Sequence, residues 1–117
     1  MVEKLTKSGL PIYLYGTGEL AEEFFKRFIA PNNIAITGVI ISKQYYKEGS
    51  AFFGHSVQPL EDILNENLKA NVILCFLKDN YDDVIANLKK IAPNCNFLIT
   101  QKMFLEDLQG KIEAVNR

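Results

Sequence analysis

Along this chain, short continuous apolar blocks alternate with longer stretches in which apolar residues return every third or fourth position. Ile12-Tyr13-Leu14-Tyr15 is one such block, β-prone and closed by Gly16, and it reads as a buried strand. From Glu19 the period changes. Leu20, Phe24 and Phe28 recur at four-residue spacing, as do Ala21, Phe25 and Ile29, while Glu22, Glu23, Lys26 and Arg27 face outward. That pattern predicts an amphipathic helix. Pro31 ends it, since proline has no N–H to continue the ladder. Asn32-Asn33 makes a turn, and Ile34 to Ile41, apolar apart from Thr37 and Gly38, predicts a second strand buried on both faces.

The stretch from Ser42 to Phe53 is polar and aromatic without helical or alternating order, and reads as a loop. Gly54-His55-Ser56-Val57 predicts a short edge strand, and Pro59 suits the first turn of a helix running to about Lys69, with Leu60, Ile63, Leu64 and Leu68 on one face. Val72 to Leu77 is the most strand-like segment of all. Asp79 or Asn80 is placed to cap the next helix, whose apolar face is Tyr81, Val84, Ile85, Leu88 and Ile91, before Pro93 forbids continuation. Asn96 to Thr100 follows as a last strand. Met103, Phe104, Leu105, Leu108, Ile112 and Val115 suggest a terminal helix interrupted by Gly110.

Strand-helix alternation favours a parallel sheet, because each helix returns the chain to begin the next strand in the same direction. The expected architecture is α/β: a three-layer Rossmann-like domain with a mainly parallel five-stranded sheet, filling residues 1–117 as a single domain. The first strand belongs in the middle, with the second and the short third outward on one side and the strands near Val72 and Asn96 on the other. Open sheets of this kind bind ligands where the loops diverge at the switch point, here after Tyr15 and Leu77.

The segment Gly16-Thr17-Gly18-Glu19-Leu20-Ala21 has the form G-x-G-x-x-G/A directly after a strand and at the opening of a helix. Gly16 permits the sharp turn, Gly18 leaves room for a ligand against bare backbone, and the small Ala21 lets the helix approach the sheet. The N–H groups of Thr17 through Leu20 would point at the ligand. The alternative is that the glycines only make a tight connection. A dinucleotide site also wants a carboxylate at the end of the second strand to hold ribose hydroxyls, and none occurs between Glu23 and Glu48. Ordinary NAD binding is therefore not expected. Ser42-Lys43, a hydroxyl beside a cation, leaves NADP open, while Glu19 competes with a phosphate for the helix amides and favours a sugar or a diphosphate held farther away. The candidate ligand-binding residues are Gly16, Thr17, Gly18, Glu19, Leu20, Ser42, Lys43, Leu77 and Lys78. Tyr45 and Tyr46 are candidates to stack on a base or sugar, with Lys43 and Lys47 nearby for phosphates.

Composition narrows the classes. The 117 residues include 13 basic and 14 acidic ones, for a formal net charge of -1, and no basic stretch interleaved with aromatics marks a nucleic-acid surface. No apolar run approaches the roughly 20 residues of a membrane span. Met1 to Gly9 carries Glu3, Lys4 and Lys7 and no apolar core of a secretory signal, so cytoplasmic residence is expected. Cys75 and Cys95 fall on or beside predicted core strands and read as small hydrophobes, and the lone His55 reads as a turn residue without a catalytic partner. No catalytic set and no metal site is apparent. There is no internal repeat, low-complexity tract or linker.

Taken together, residues 12–21, then Ile36-Thr37-Gly38-Val39-Ile40, then Gly54-His55-Ser56-Val57 with Pro59-Leu60-Glu61, resemble the Rossmann-like domains attached to carbohydrate-modifying enzymes. These are the N-terminal domain of PglD/NeuD-type sugar acyltransferases, the similar domain preceding polysaccharide-biosynthesis dehydratases, and the accessory domain beside FkbM-type methyltransferases. The resemblance implies a UDP-sugar held by the turn Gly16-Thr17-Gly18, with Ser42 standing where the acyltransferase family generally has an acid. That family continues into a β-helix of hexapeptide repeats that binds acetyl-CoA, and no such repeats occur up to Arg117. The expected function is thus a non-catalytic domain binding a nucleotide or nucleotide-sugar, part of a larger sugar-modifying transferase or a homo-oligomer. The rivals are an NADP-binding domain of a reductase and a structural or dimerisation domain without ligand.

Overall fold

The computed structural model describes residues 2–76 and 81–100. Within them the strand β1 (Ile12–Tyr15) lies inside a six-stranded, mostly parallel sheet. It is flanked in parallel by β2 (Gly38–Ile41) and β5 (Asn71–Leu74). Beyond β5 runs β6 (Asn96–Ile99), and beyond β2 runs β4 (His55–Pro59), both parallel to their neighbours. The strand order anticipated for these five is the one observed.

Alternation along β1 sorts the core. Ile12 and Leu14 join one apolar cluster with Val39, Ile73, Phe24 and Phe28, while Tyr13 and Tyr15 pack on another with Ile40, Val72, Leu74 and Leu88. The helix α2 (Glu19–Phe24), extended by a wider turn over Phe25–Ile29, supplies the first cluster; α3 (Leu60–Ile63) and α4 (Tyr81–Ile91) supply the second. Apolar cores therefore cover both faces, as a continuously apolar parallel strand requires. Room for Tyr13 comes from Gly38, where an added Cβ would stand 3.3 Å from the ring.

Several expectations change: β5 ends at Leu74 rather than Leu77, Pro59 ends β4 instead of opening the helix, and β4 is not the edge strand expected of residues 54–57. The sheet has six strands rather than five, because the presumed loop 42–53 contains β3 (Ala51–Phe52), antiparallel to β4 and itself at the edge. The turn joining them places Phe53 and Gly54 at φ 47 and 81. A bulky residue there is unusual, but Phe53 stacks on Phe25 with centroids 4.4 Å apart and planes at 8°. That contact comes from a distant helix; Gly54 is a local turn signal, but Phe53 beside it is not. Likewise, β2 starts only at Gly38. Thr37 still bonds β1 through its N–H to the Ile12 carbonyl (2.8 Å) and its hydroxyl to the Ile12 N–H (3.2 Å).

The helix expected to reach Lys69 stops after Ile63: Leu64 is extended, and the Asn65 side chain accepts the Asn67 N–H at 2.9 Å. Such a local turn competes with helix continuation, though Leu64 stays buried and Leu68 still packs on the core. A short helix α1 (Val2–Lys7), absent from the sequence reading, buries Leu5 against the α2 side. Ser8 follows it and ties it to the sheet: its hydroxyl accepts from the Asn71 side chain (3.2 Å), whose oxygen accepts from Asn96 (3.1 Å). The expected cap at Asp79 or Asn80 and the terminal helix from Met103 to Val115 lie outside the described residues.

Leu14 is fully buried at the centre of this arrangement. Leu14→Ala is expected to cost about 2–5 kcal/mol in urea unfolding, whereas a change at exposed Glu22 should cost at most about 0.5 kcal/mol.

Candidate functional site

The Gly-rich turn leaves β1 at its carboxyl end, where two backbone constraints shape it. The Gly16 N–H donates to the Ile40 carbonyl at 3.0 Å, and a Cβ on Gly16 would meet the Cys75 carbonyl oxygen at 2.8 Å with φ at +126°. Gly16 is therefore demanded by the fold itself, as the residue squeezed between β2 and β5. Gly18 is different. It has an ordinary negative φ and nothing within 4 Å of an added Cβ. No side chain caps it, and the helical ladder opens with the Glu22 N–H donating to the Gly18 carbonyl at 3.0 Å. Ala21 is fully buried on the sheet, as the small third position of the motif requires.

Beside this turn the ends of β1, β2 and β5 enclose a cleft of about 480 Å³. Tyr15, Gly16 and Thr17 come from the first strand and its turn; Ile41, Ser42, Gln44 and Tyr45 come from the second; Phe76 and Val84 close it from β5 and α4. The Tyr15 ring stands edge-on to Phe76 at 5.1 Å, and Phe76 is anchored in turn by Tyr81, whose hydroxyl donates to the Phe76 carbonyl at 2.7 Å. The Tyr15 and Ser42 hydroxyls are hydrogen-bonded at 2.9 Å. Tyr45 is 72% exposed at the rim.

Of the residues anticipated from sequence, Gly16, Thr17, Ser42 and Tyr45 line this cleft. Gly18 and Glu19 are exposed and Leu20 is half-buried at the start of α2, beside the cleft without lining it. Lys43 has an exposed side chain, and its N–H donates to the Glu61 carboxylate, with oxygens at 3.0 and 3.2 Å. Leu77 and Lys78 lie outside the described residues. Tyr15, Ile41, Gln44, Phe76 and Val84 were not anticipated: three of them read as strand core and one as helix core, and only the sheet brings their ends together. Tyr46 is half-buried and does not line the cleft.

Glu61 alters the charge expected here. No acid lies near Ser42 in sequence, but β4 pairs with β2 in the register Ile41↔Pro59, and continuing it two residues sets Glu61 opposite Lys43. A carboxylate thus stands at the end of the second strand after all, delivered by the neighbouring strand and α3. It counts against a phosphate at Ser42-Lys43.

Neither cysteine lines the cleft, although the Cys75 backbone borders the Gly-rich turn. Both are buried, and burial pushes both thiols above their ordinary range, Cys75 most strongly. The Cys75 Sγ leans on the Ile73 carbonyl and the Cys95 Sγ on the Leu68 carbonyl, at 3.5 and 3.4 Å. A protonated buried thiol is a poor nucleophile. His55 lies on β4, its ring edge-on to Phe25. No family model, curated protein or solved structure matches the chain.

The two glycines should separate in experiment. Gly16→Ala is expected to destabilise by about 1–3 kcal/mol or more, and Gly18→Ala to stay within about 1 kcal/mol of the parent in denaturant unfolding. Thiol titration with an aromatic disulfide at neutral pH should label neither Cys75 nor Cys95 in the folded protein and both once urea unfolds it.

Proposed function

We propose that this chain is a non-catalytic binding domain for a nucleotide or nucleotide-sugar, a Rossmann-like half-fold serving a glycan-modifying enzyme. The observation that carries the reading is the cleft at the carboxyl ends of β1, β2 and β5, bordered by the Gly-rich turn. Ligands of open α/β sheets bind at this point because flanking loops part there. Aromatic walls at Tyr15, Tyr45 and Phe76 and neutral polar groups at Thr17, Ser42 and Gln44 give it stacking surface and hydrogen-bond partners without a dominating charge. The exposed Gly18 backbone leaves the neighbouring turn bare for the remainder of a ligand.

NADP fits less well than a UDP-sugar. Its 2′-phosphate, which a UDP-sugar lacks, would fall beside the Glu61 carboxylate; Glu19 and Glu22 in the first turn of α2 keep the diphosphate of either ligand away from the helix amides. A structural or dimerising domain without ligand is the remaining reading, favoured by one observation: Gly16 is explained by packing alone.

Thermal unfolding across a panel of UDP-glucose, UDP and NADPH separates the three. UDP-glucose at a hundred times its dissociation constant is expected to add about 2.7 kcal/mol of stability, with a smaller effect of NADPH. Tyr45→Ala should leave the ligand-free transition unchanged, because the ring is exposed, and weaken binding about 5- to 100-fold through lost stacking. A shift with NADPH alone selects the reductase reading, and no shift with any of the three selects the structural one.

A further inference from the structure

The short 3-10 turn Lys43–Tyr45 that forms the β2 side of the cleft is capped in an unusual way. Ser42 occupies the position whose hydroxyl would ordinarily accept a hydrogen bond from the turn's own backbone, yet it makes no such bond. Its Oγ pairs instead with the Tyr15 hydroxyl at 2.9 Å, and the turn's first N–H, that of Lys43, is taken by Glu61. The acid on α3 therefore holds the first N–H of the turn, next to Ser42, whose hydroxyl bonds Tyr15 on the wall of the cleft.

Two hydroxyls bonded to each other share one proton. The pair keeps a second O–H to donate and lone pairs to accept, about 3 Å apart on the wall of the cavity. A vicinal diol presents the same complement, a donor and an acceptor on adjacent carbons. Pyranose and ribose rings carry such diols; phosphate, which only accepts, uses half of it. With Glu61 beside Lys43, and Glu19 and Glu22 on the α2 side, the charge at this hydroxyl pair favours a neutral sugar ring over the anionic part of a ligand.

We propose that the Tyr15–Ser42 hydroxyl pair recognises a vicinal diol of the ligand's sugar ring, and that Glu61, by holding the Lys43 N–H, is the residue that positions Ser42 for it. This rests on the nucleotide-sugar reading above and specifies which part of such a ligand enters the cleft. Calorimetric titration of the full chain with UDP-glucose, UDP and 2′-deoxy-UDP tests it. If the ribose diol is held, UDP binds about two- to tenfold more tightly than 2′-deoxy-UDP; if the hexose diol is held, UDP-glucose exceeds UDP by a similar factor.

Whichever preference the wild type shows should shrink to less than about twofold in Ser42→Ala and in Tyr15→Phe. Glu61→Ala should reduce it as well, by loosening the backbone at Lys43 next to Ser42, and Glu61→Gln, whose amide oxygen still accepts the Lys43 N–H, should restore it. Tyr15→Phe is isosteric, so its folding is secure should Ser42→Ala be unstable. A preference retained in Tyr15→Phe overturns the diol assignment while leaving nucleotide binding intact, as does wild-type binding without either preference. A Glu61→Ala protein with undiminished preference removes the positioning role. Failure of the wild type to bind any of the three probes removes the nucleotide reading and this inference with it.

Discussion

The structure turns on the close approach of three parallel strands at Gly16. The chain leaves β1 there with its N–H on the Ile40 carbonyl of β2 and its missing side chain against the Cys75 carbonyl at the end of β5. Backbone hydrogen bonds on both sides of β1 fix where the strands end, and the ends fix the cleft. Because no L side chain fits between those two backbones, the turn must run outward over the sheet's rim before α2 can begin. The opening of the cleft thus follows from packing, before any ligand is considered.

On that frame the walls of the cleft are built from side chains that also hold the core. Tyr13 and Tyr15 alternate out of β1 onto the same face as Ile40 and Leu74, but Tyr15, one step nearer the carboxyl end, exposes its hydroxyl to Ser42. Phe76 is braced by Tyr81 across the start of α4. Such supports make a rigid wall of aromatic rings with polar tips, the kind of surface that packs on a flat ring and bonds its substituents. Glu61 stands beside Lys43, the cation next to Ser42, and Glu19 and Glu22 open α2, which sets this site apart from an anion cradle at a helix end.

The edge of the sheet follows a different logic. Phe53 holds a left-handed conformation that its side chain disfavours, and its stack on Phe25 compensates. The hairpin so formed covers β4 with the two-residue β3, and a short edge limits open backbone for unwanted pairing. Turn chemistry, normally a local matter, is here decided by a contact across 28 residues of chain.

Much of the scaffold was legible in the residues themselves. The continuous apolar blocks, the four-residue spacing after Glu19 and the breaks at Pro31 and Pro93 specified strands, helices and their parallel order, because hydrophobic period and proline sterics act over neighbouring positions. The Gly-rich turn likewise declared its place between a strand and a helix. What the residues could not disclose were effects of long-range register: the hairpin stabilised by Phe25, the Cys75 backbone that bars a side chain at Gly16, and the arrival of Glu61 opposite Lys43 through the pairing of β2 with β4. Local order depends on which side chains follow one another and was written in the chain; the chemistry of the cleft depends on which strand ends lie side by side, and only the assembled sheet decides that.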